Sequence, residues 1–210
     1  MQTDSDGNFA LTGITGYAID KISILKKGYE LSPKAQRSFV FGLKADYKPN
    51  PGSPVIFKMW KMVGKEPLVG GAWQGKVFCD SRTNRFSLVS GSPADLEIAC
   101  TRTPLNYERT NGPSFTYKFV ISVIGGGVQP TADEFTHLAP NGGYSPSVTI
   151  ERKPGDPGWR AGVDQEFYVK TAEGHYGRIS VTWDAGHRPQ PTVLLWDSSI
   201  NPSGSRNLER

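Results

Sequence analysis

The sequence predicts an all-β protein, an antiparallel β-sandwich of jelly-roll or immunoglobulin-like form, with about ten or eleven strands and one or two short helices. Three observations carry this. Apolar and polar residues alternate with period two in several short runs. The 24 glycines and 16 prolines fall between those runs as punctuation. The best helical pattern spans only about two turns, far short of what a helical fold needs.

The clearest strand is 114–124, where Phe115, Tyr117, Phe119, Ile121 and Val123 share one face and Thr116, Lys118, Val120 and Ser122 the other. It reads as the central strand, ended by Gly125, Gly126 and Gly127 in a tight exit. A phosphate cradle is a poor fit there, because no helix and no Lys-Ser or Lys-Thr follows.

In chain order, residues 1–15 are polar and read as a loose lead-in, with a single domain over 16–210. Strands are expected at 17–25 and 38–47, the latter with Phe39, Phe41, Leu43, Ala45 and Tyr47 on one face. Ser32-Pro33 between them suits one helical turn over 33–37. Pro49, Pro51 and Pro54 make a turn that cannot join a ladder. A strand at 55–63 carries Trp60, and strands at 76–80 and 85–90 are joined by a turn at 81–84. Ser92-Pro93-Ala94-Asp95 offers a helix start that competes with a strand at 96–100.

Thr131 and Glu134 have capping-box spacing, which predicts a helix over 131–138. Strands at 147–151, 166–171, 176–183 and 192–198 then complete a meander, with a turn at 172–175 and a proline-bearing loop at 185–191. The polar run 199–210 is read either as a linker or as a final loop whose Asn201, Ser203 and Arg206 bind the body.

Composition narrows the function classes. The formal charge is +4 with a pI near 9.0, but lysines and arginines are scattered, so a nucleic-acid interface lacks its basic stripe. No run of ~18 apolar residues occurs, so no membrane-spanning helix is expected. Polar residues follow Met1 directly, as on a trimmed mature chain, and the expected setting is an exported bacterial protein, secreted, periplasmic or at the cell surface. Cys79 and Cys100 are predicted to form a disulfide closing a loop of about 20 residues, stabilising by roughly 3 kcal/mol. Two buried free thiols are the alternative.

Chemistry-bearing motifs are sparse. The three histidines, His137, His175 and His187, occur without a nucleophile elbow, and only Asp133 with His137 has i, i+4 spacing. Asp133, Glu134, Asp156, Asp164, Glu166 and Asp184 supply carboxylates for glycan cleavage, but nothing in the order of residues pairs them. No cofactor is implied. A structural calcium on carbonyls and one or two carboxylates is compatible with the sequence but not specified by it.

Aromatic residues in loops give the strongest hint. Trp73 beside Gln74, Tyr144, and Trp159 beside Arg160 suit stacking on sugar faces with polar groups for the hydroxyls. Trp183 and Trp196 alternate with strand residues and read as core. The expectation is a non-catalytic module that binds a polysaccharide through Trp73, Gln74, Tyr144, Trp159 and Arg160. A structural or adhesive cell-surface module is the alternative, and a glycan-cleaving enzyme ranks third.

Overall fold

A computed structural model describes residues 3–10, 17–40, 52–104, 106–108, 112–186 and 191–210. The predicted strand at 38–47 and the loop at 185–191 lie partly outside these residues, as does His187. The chain forms two compact units, Met1–Met62 and Val63–Arg210.

In the first unit, β1 (Ala18–Ile19), β2 (Tyr29–Leu31), β3 (Phe39–Val40) and β4 (Met59–Lys61) form two antiparallel pairs, β1 with β3 and β2 with β4. The predicted strands at 17–25 and 55–63 are therefore mostly loop, with pairing limited to two or three residues. Phe57 is half-buried, its ring 6.2 Å from Phe9 and 6.4 Å from Phe39. Ser32 is buried and accepts from the Lys34 and Ala35 amides, so Ser32-Pro33 makes a turn and no helix starts there.

The second unit holds β5 (Ala72–Val77), β6 (Asp80–Phe86), β7 (Leu96–Arg102), β8 (Asn106–Glu108), β9 (Gly112–Ser114), β10 (Tyr117–Val123), β11 (Gly127–Thr131), β12 (Ser147–Arg152), β13 (Gly162–Lys170), β14 (Tyr176–Asp184) and β15 (Thr192–Asn201). A four-stranded sheet runs β12-β10-β7-β6 and a five-stranded sheet runs β11-β13-β14-β15-β5, every neighbour antiparallel. The sheets pack face to face, as a sandwich requires.

β10 behaves as its alternation dictates. Tyr117, Phe119, Ile121 and Val123 are buried, and Lys118 is exposed. They meet Phe167, Ile179, Val181, Trp183 and Leu194 from the facing sheet. Gly126 is needed at the exit because a Cβ there would lie 2.0 Å from the Lys170 carbonyl oxygen. The chain then crosses to the other sheet as β11, and paired backbone bonds between Val128 and Ser145 tie that edge to the approach to β12.

Four expectations are corrected. No helix occurs among the described residues. At 131–138, Thr131 ends β11 and its hydroxyl accepts from the Asp133 amide in a local turn, but the stretch then runs out to pair with the C-terminal residues through Ala139 and Arg206, so no helix follows. At 92–95, Asp95 accepts from the Leu88 amide at 2.7 Å and its own amide bonds Phe86, closing a loop. The predicted turn at 81–84 lies inside β6: Ser81 adopts φ 71° and a bulge lets the strand continue along β7.

The fourth correction concerns the disulfide. Cys79 and Cys100 are free thiols with their sulfurs 3.7 Å apart. Cys79 lies where the chain leaves the five-stranded sheet for the four-stranded one, facing β7 across the corner. The hydrogen bond to Cys79, and then burial, push the Cys100 thiol up. Denaturation without reductant should therefore expose both thiols to a maleimide, whereas in the native protein Cys79 reacts first. Mass spectrometry that finds no labelled thiol after denaturation would reinstate the bridge.

Candidate functional site

The register of the five-stranded sheet assigns its two faces. Val163, Phe167 and Val169 point into the sandwich, so Asp164, Glu166 and Tyr168 point outward. Yet Tyr168 is only 3% exposed. It belongs to a second small core with Ala139, Tyr176 and Leu208, flanked by Leu68 and Tyr144, on the outer side of the sheet. Two segments build that cover. The strap 132–140 and the C-terminal tail lie antiparallel, through Ala139 N–H to Arg206 O at 2.9 Å and Leu208 N–H to His137 O at 2.7 Å. Arg178 anchors the strap, donating to Thr136 Oγ1 at 2.7 Å.

Between strap, tail and sheet lies a recess of about 350 Å³. Gln129 and Thr131 on β11, Tyr168 on β13, Asp133 on the strap and Arg206 on the tail supply its polar wall, with Leu138 and Pro140 as apolar wall. The Tyr168 hydroxyl donates to Asp133 Oδ2 at 3.2 Å. Burial, and next the Asp133 charge, push the Tyr168 phenol up to about 12, so it stays a neutral donor. Its ionisation would cost the fold: the stability it contributes is complete below the free phenol's value and is lost as pH rises toward 12. Arg206 donates to Ala139 O at 3.2 Å and keeps further N–H groups for other acceptors. Gln129 Oε1 is buried without a hydrogen-bond partner. A buried amide oxygen left so is costly.

A larger recess of about 550 Å³ lies on the other side of the tail, between Lys65, Glu66, Leu68, Val69, Ser199 and Arg210. Glu66 and Arg210 in its wall already have partners. Arg210 reaches Ser199 Oγ at 3.1 Å and Asp197 at 3.5 Å, while Glu66 accepts from Asn201, Ser203 and Ser205.

The predicted site residues do not meet. Trp73 lies within β5, not in a loop, its indole 4.8 Å from Phe86 and folded over Gly75. Gln74, next along the strand, faces the opposite side and is exposed. Trp159 packs edge-on against Phe115 at 5.5 Å and donates to the Phe115 carbonyl at 3.3 Å. Arg160 is exposed and donates to the Asp164 carbonyl at 2.6 Å. Tyr144 donates to Pro140 O at 3.1 Å and sits beside Tyr176. Trp159 precedes Gly162 at the start of β13, and Tyr144 packs beside Gly127, the partner of Lys170 at its end. About 26 Å of strand, at ~3.3 Å per residue, separates those ends. One sugar cannot span that distance. None of the five lines the recess, although Tyr144 bonds Pro140 on its wall.

Gln129, Thr131, Tyr168 and Arg206 escaped the sequence reading as recess residues, and Asp133 entered it only as half of a helical pair. One signal was present. Phe167-Tyr168-Val169 is an apolar run without alternation, the mark of a strand covered on both faces. Among the described residues no group of three His, Cys, Asp or Glu side chains is placed to hold a metal ion. Among the described residues no helix is long and apolar enough to cross a membrane.

No protein-family model, no curated protein and no solved structure matches the chain.

Proposed function

We propose that this protein is a non-catalytic binding module that takes the end of a glycan in the recess between strap, tail and sheet. The observation that carries the reading is that Asp133, Tyr168 and Arg206, a carboxylate, a phenol and a guanidinium, line one concavity beside the apolar Leu138 and Pro140. Each sugar hydroxyl both donates and accepts. Asp133 accepts, Arg206 donates, and Leu138 and Pro140 face the ring's C–H groups. This replaces the stacking on Trp73 and Trp159, whose rings pack against the core.

The test is calorimetric titration of the full chain with a panel of neutral, acidic and amino sugars. Asp133→Asn and Arg206→Ala should each weaken binding about tenfold or more, the scale of one hydrogen bond to a charged group. Trp159→Phe should leave affinity unchanged. A panel without any binder refutes the reading, as does a response to Trp159→Phe with none to Asp133→Asn.

A further inference from the structure

The recess opens at one end of a largely polar floor. Thr131 on its wall is the register partner of Glu166, which faces Ser180, which faces Asp197. Four neighbouring strands thus present one outward polar side chain each, in a single row. A second row, one pleat along, holds Asp164, Thr182, Leu195 and Gln74. Asp164, Thr182, Gln74 and Asp197 are exposed, and Glu166 and Ser180 half-exposed, so the floor is open beyond the cover formed by the strap. Thr182 Oγ1 lies 3.4 Å from Asp164 Oδ1, which leaves that carboxylate's other oxygen to accept.

We propose that the ligand is a neutral linear glycan whose end enters the recess while its following residues cross β13, β14 and β15 along Glu166, Ser180 and Asp197. This rests on the recess reading and extends it to a substrate class and a direction. Two physical arguments support it. Neighbouring strands are ~4.8 Å apart, close to the length of one extended sugar residue, so a chain running across the strands meets one polar group per residue. Second, the floor's charged groups include Asp164, Glu166 and Asp197, and a carboxylate accepts two parallel hydrogen bonds, which matches a vicinal diol. Of the nearby guanidiniums, Arg160 is directed to a carbonyl and Arg178 to Thr136, while Arg210 already pairs with Asp197 at the end of the row. Beyond Arg206, a uronate or a sulfated chain would meet like charge from Asp164, Glu166 and Asp197, which disfavours it.

The experiment titrates the full chain with cello-, xylo- and manno-oligosaccharides from monosaccharide to hexasaccharide, and with oligogalacturonates of matching length. For at least one neutral series, affinity should rise about tenfold or more from monosaccharide to tetrasaccharide and then level off. Ser180→Tyr, which puts a ring across the row, should collapse the tetrasaccharide toward the monosaccharide value. Affinity independent of length, with Asp133→Asn still weakening the monosaccharide, would overturn the cross-strand path and leave the recess reading standing. Oligogalacturonates binding more tightly than every neutral series would overturn the ligand class. Failure of all sugars at every length would sink both readings together.

Discussion

Trp183→Ala is expected to lower the stability of the full chain by about 3–5 kcal/mol, the range for a buried tryptophan truncated with little collapse of the cavity. Trp183 is 1% exposed on β14 and is the largest fully buried side chain. Its ring lies 5.3 Å from Tyr117 and 5.4 Å from Phe119, both on β10, so it is where the two sheets hold each other. Its Nε1–H donates to Thr192 Oγ1 at 2.9 Å, and that hydroxyl passes its own proton to Val77 O at 3.0 Å. Trp183→Phe keeps most of the volume and loses the donor, and should cost about 1–2 kcal/mol. Urea unfolding followed by circular dichroism reads both, since removing an indole confuses fluorescence. The midpoint should fall while the slope stays constant. An alanine variant within about 1 kcal/mol of the parent would mean that the sheets do not share the interior described.

That interior was legible because alternation is a local property. β10 could be read residue by residue, and Trp183 and Trp196 followed from their place among Ile179, Val181 and Leu194. The second, outer core was not legible. It joins 129–133, 138–140, Tyr168 and 206–208, segments that no period links, and only the unbroken Phe167-Tyr168-Val169 run hints at it. The helix at 131–138 failed for a related reason. Thr131 and Glu134 satisfy a local rule, but Arg178, Asn207 and Arg206 hold that stretch extended across the sheet, and tertiary bonds outweigh a weak propensity. The loop tryptophans misled because a large ring flanked by glycines covers a core edge as readily as it waits for a ligand. The choice between those roles is made by Phe86 and Phe115, which lie far from Trp73 and Trp159 in the chain or across a turn.

Glu209→Ala should lower stability by about 2–3 kcal/mol and weaken glycan binding with it. The tail is a ladder in which Asn201, Ser203, Ser205 and Asn207 each accept from the amide two residues on. Such local bonds fix its shape, and two carboxylates fix its place. Glu66 accepts from Asn201, Ser203 and Ser205 of the tail, while Glu209, fully buried, accepts from the Val63 and Gly64 amides at 2.8–3.1 Å. Truncating Glu209 strips both amides of their acceptor, at about 1–3 kcal/mol for each unsatisfied group and less where water can reach it. The Glu66 carboxyl is held below its ordinary range, first by the Asn201 amide and then by Ser205. Its contribution is therefore complete above that ordinary range and is lost as pH falls through the lowered value, so Glu66→Gln should flatten the acid limb of the stability curve. Because Arg206 rides on the same tail, loosening it displaces a recess donor, and affinity should fall in Glu209→Ala although residue 209 never touches the ligand. Hydrogen exchange at Ala139 and Leu208, whose amides tie strap to tail, reports this directly. Unchanged protection of those two amides in Glu209→Ala, with parental stability, would show that the tail is held by the ladder and the small core alone.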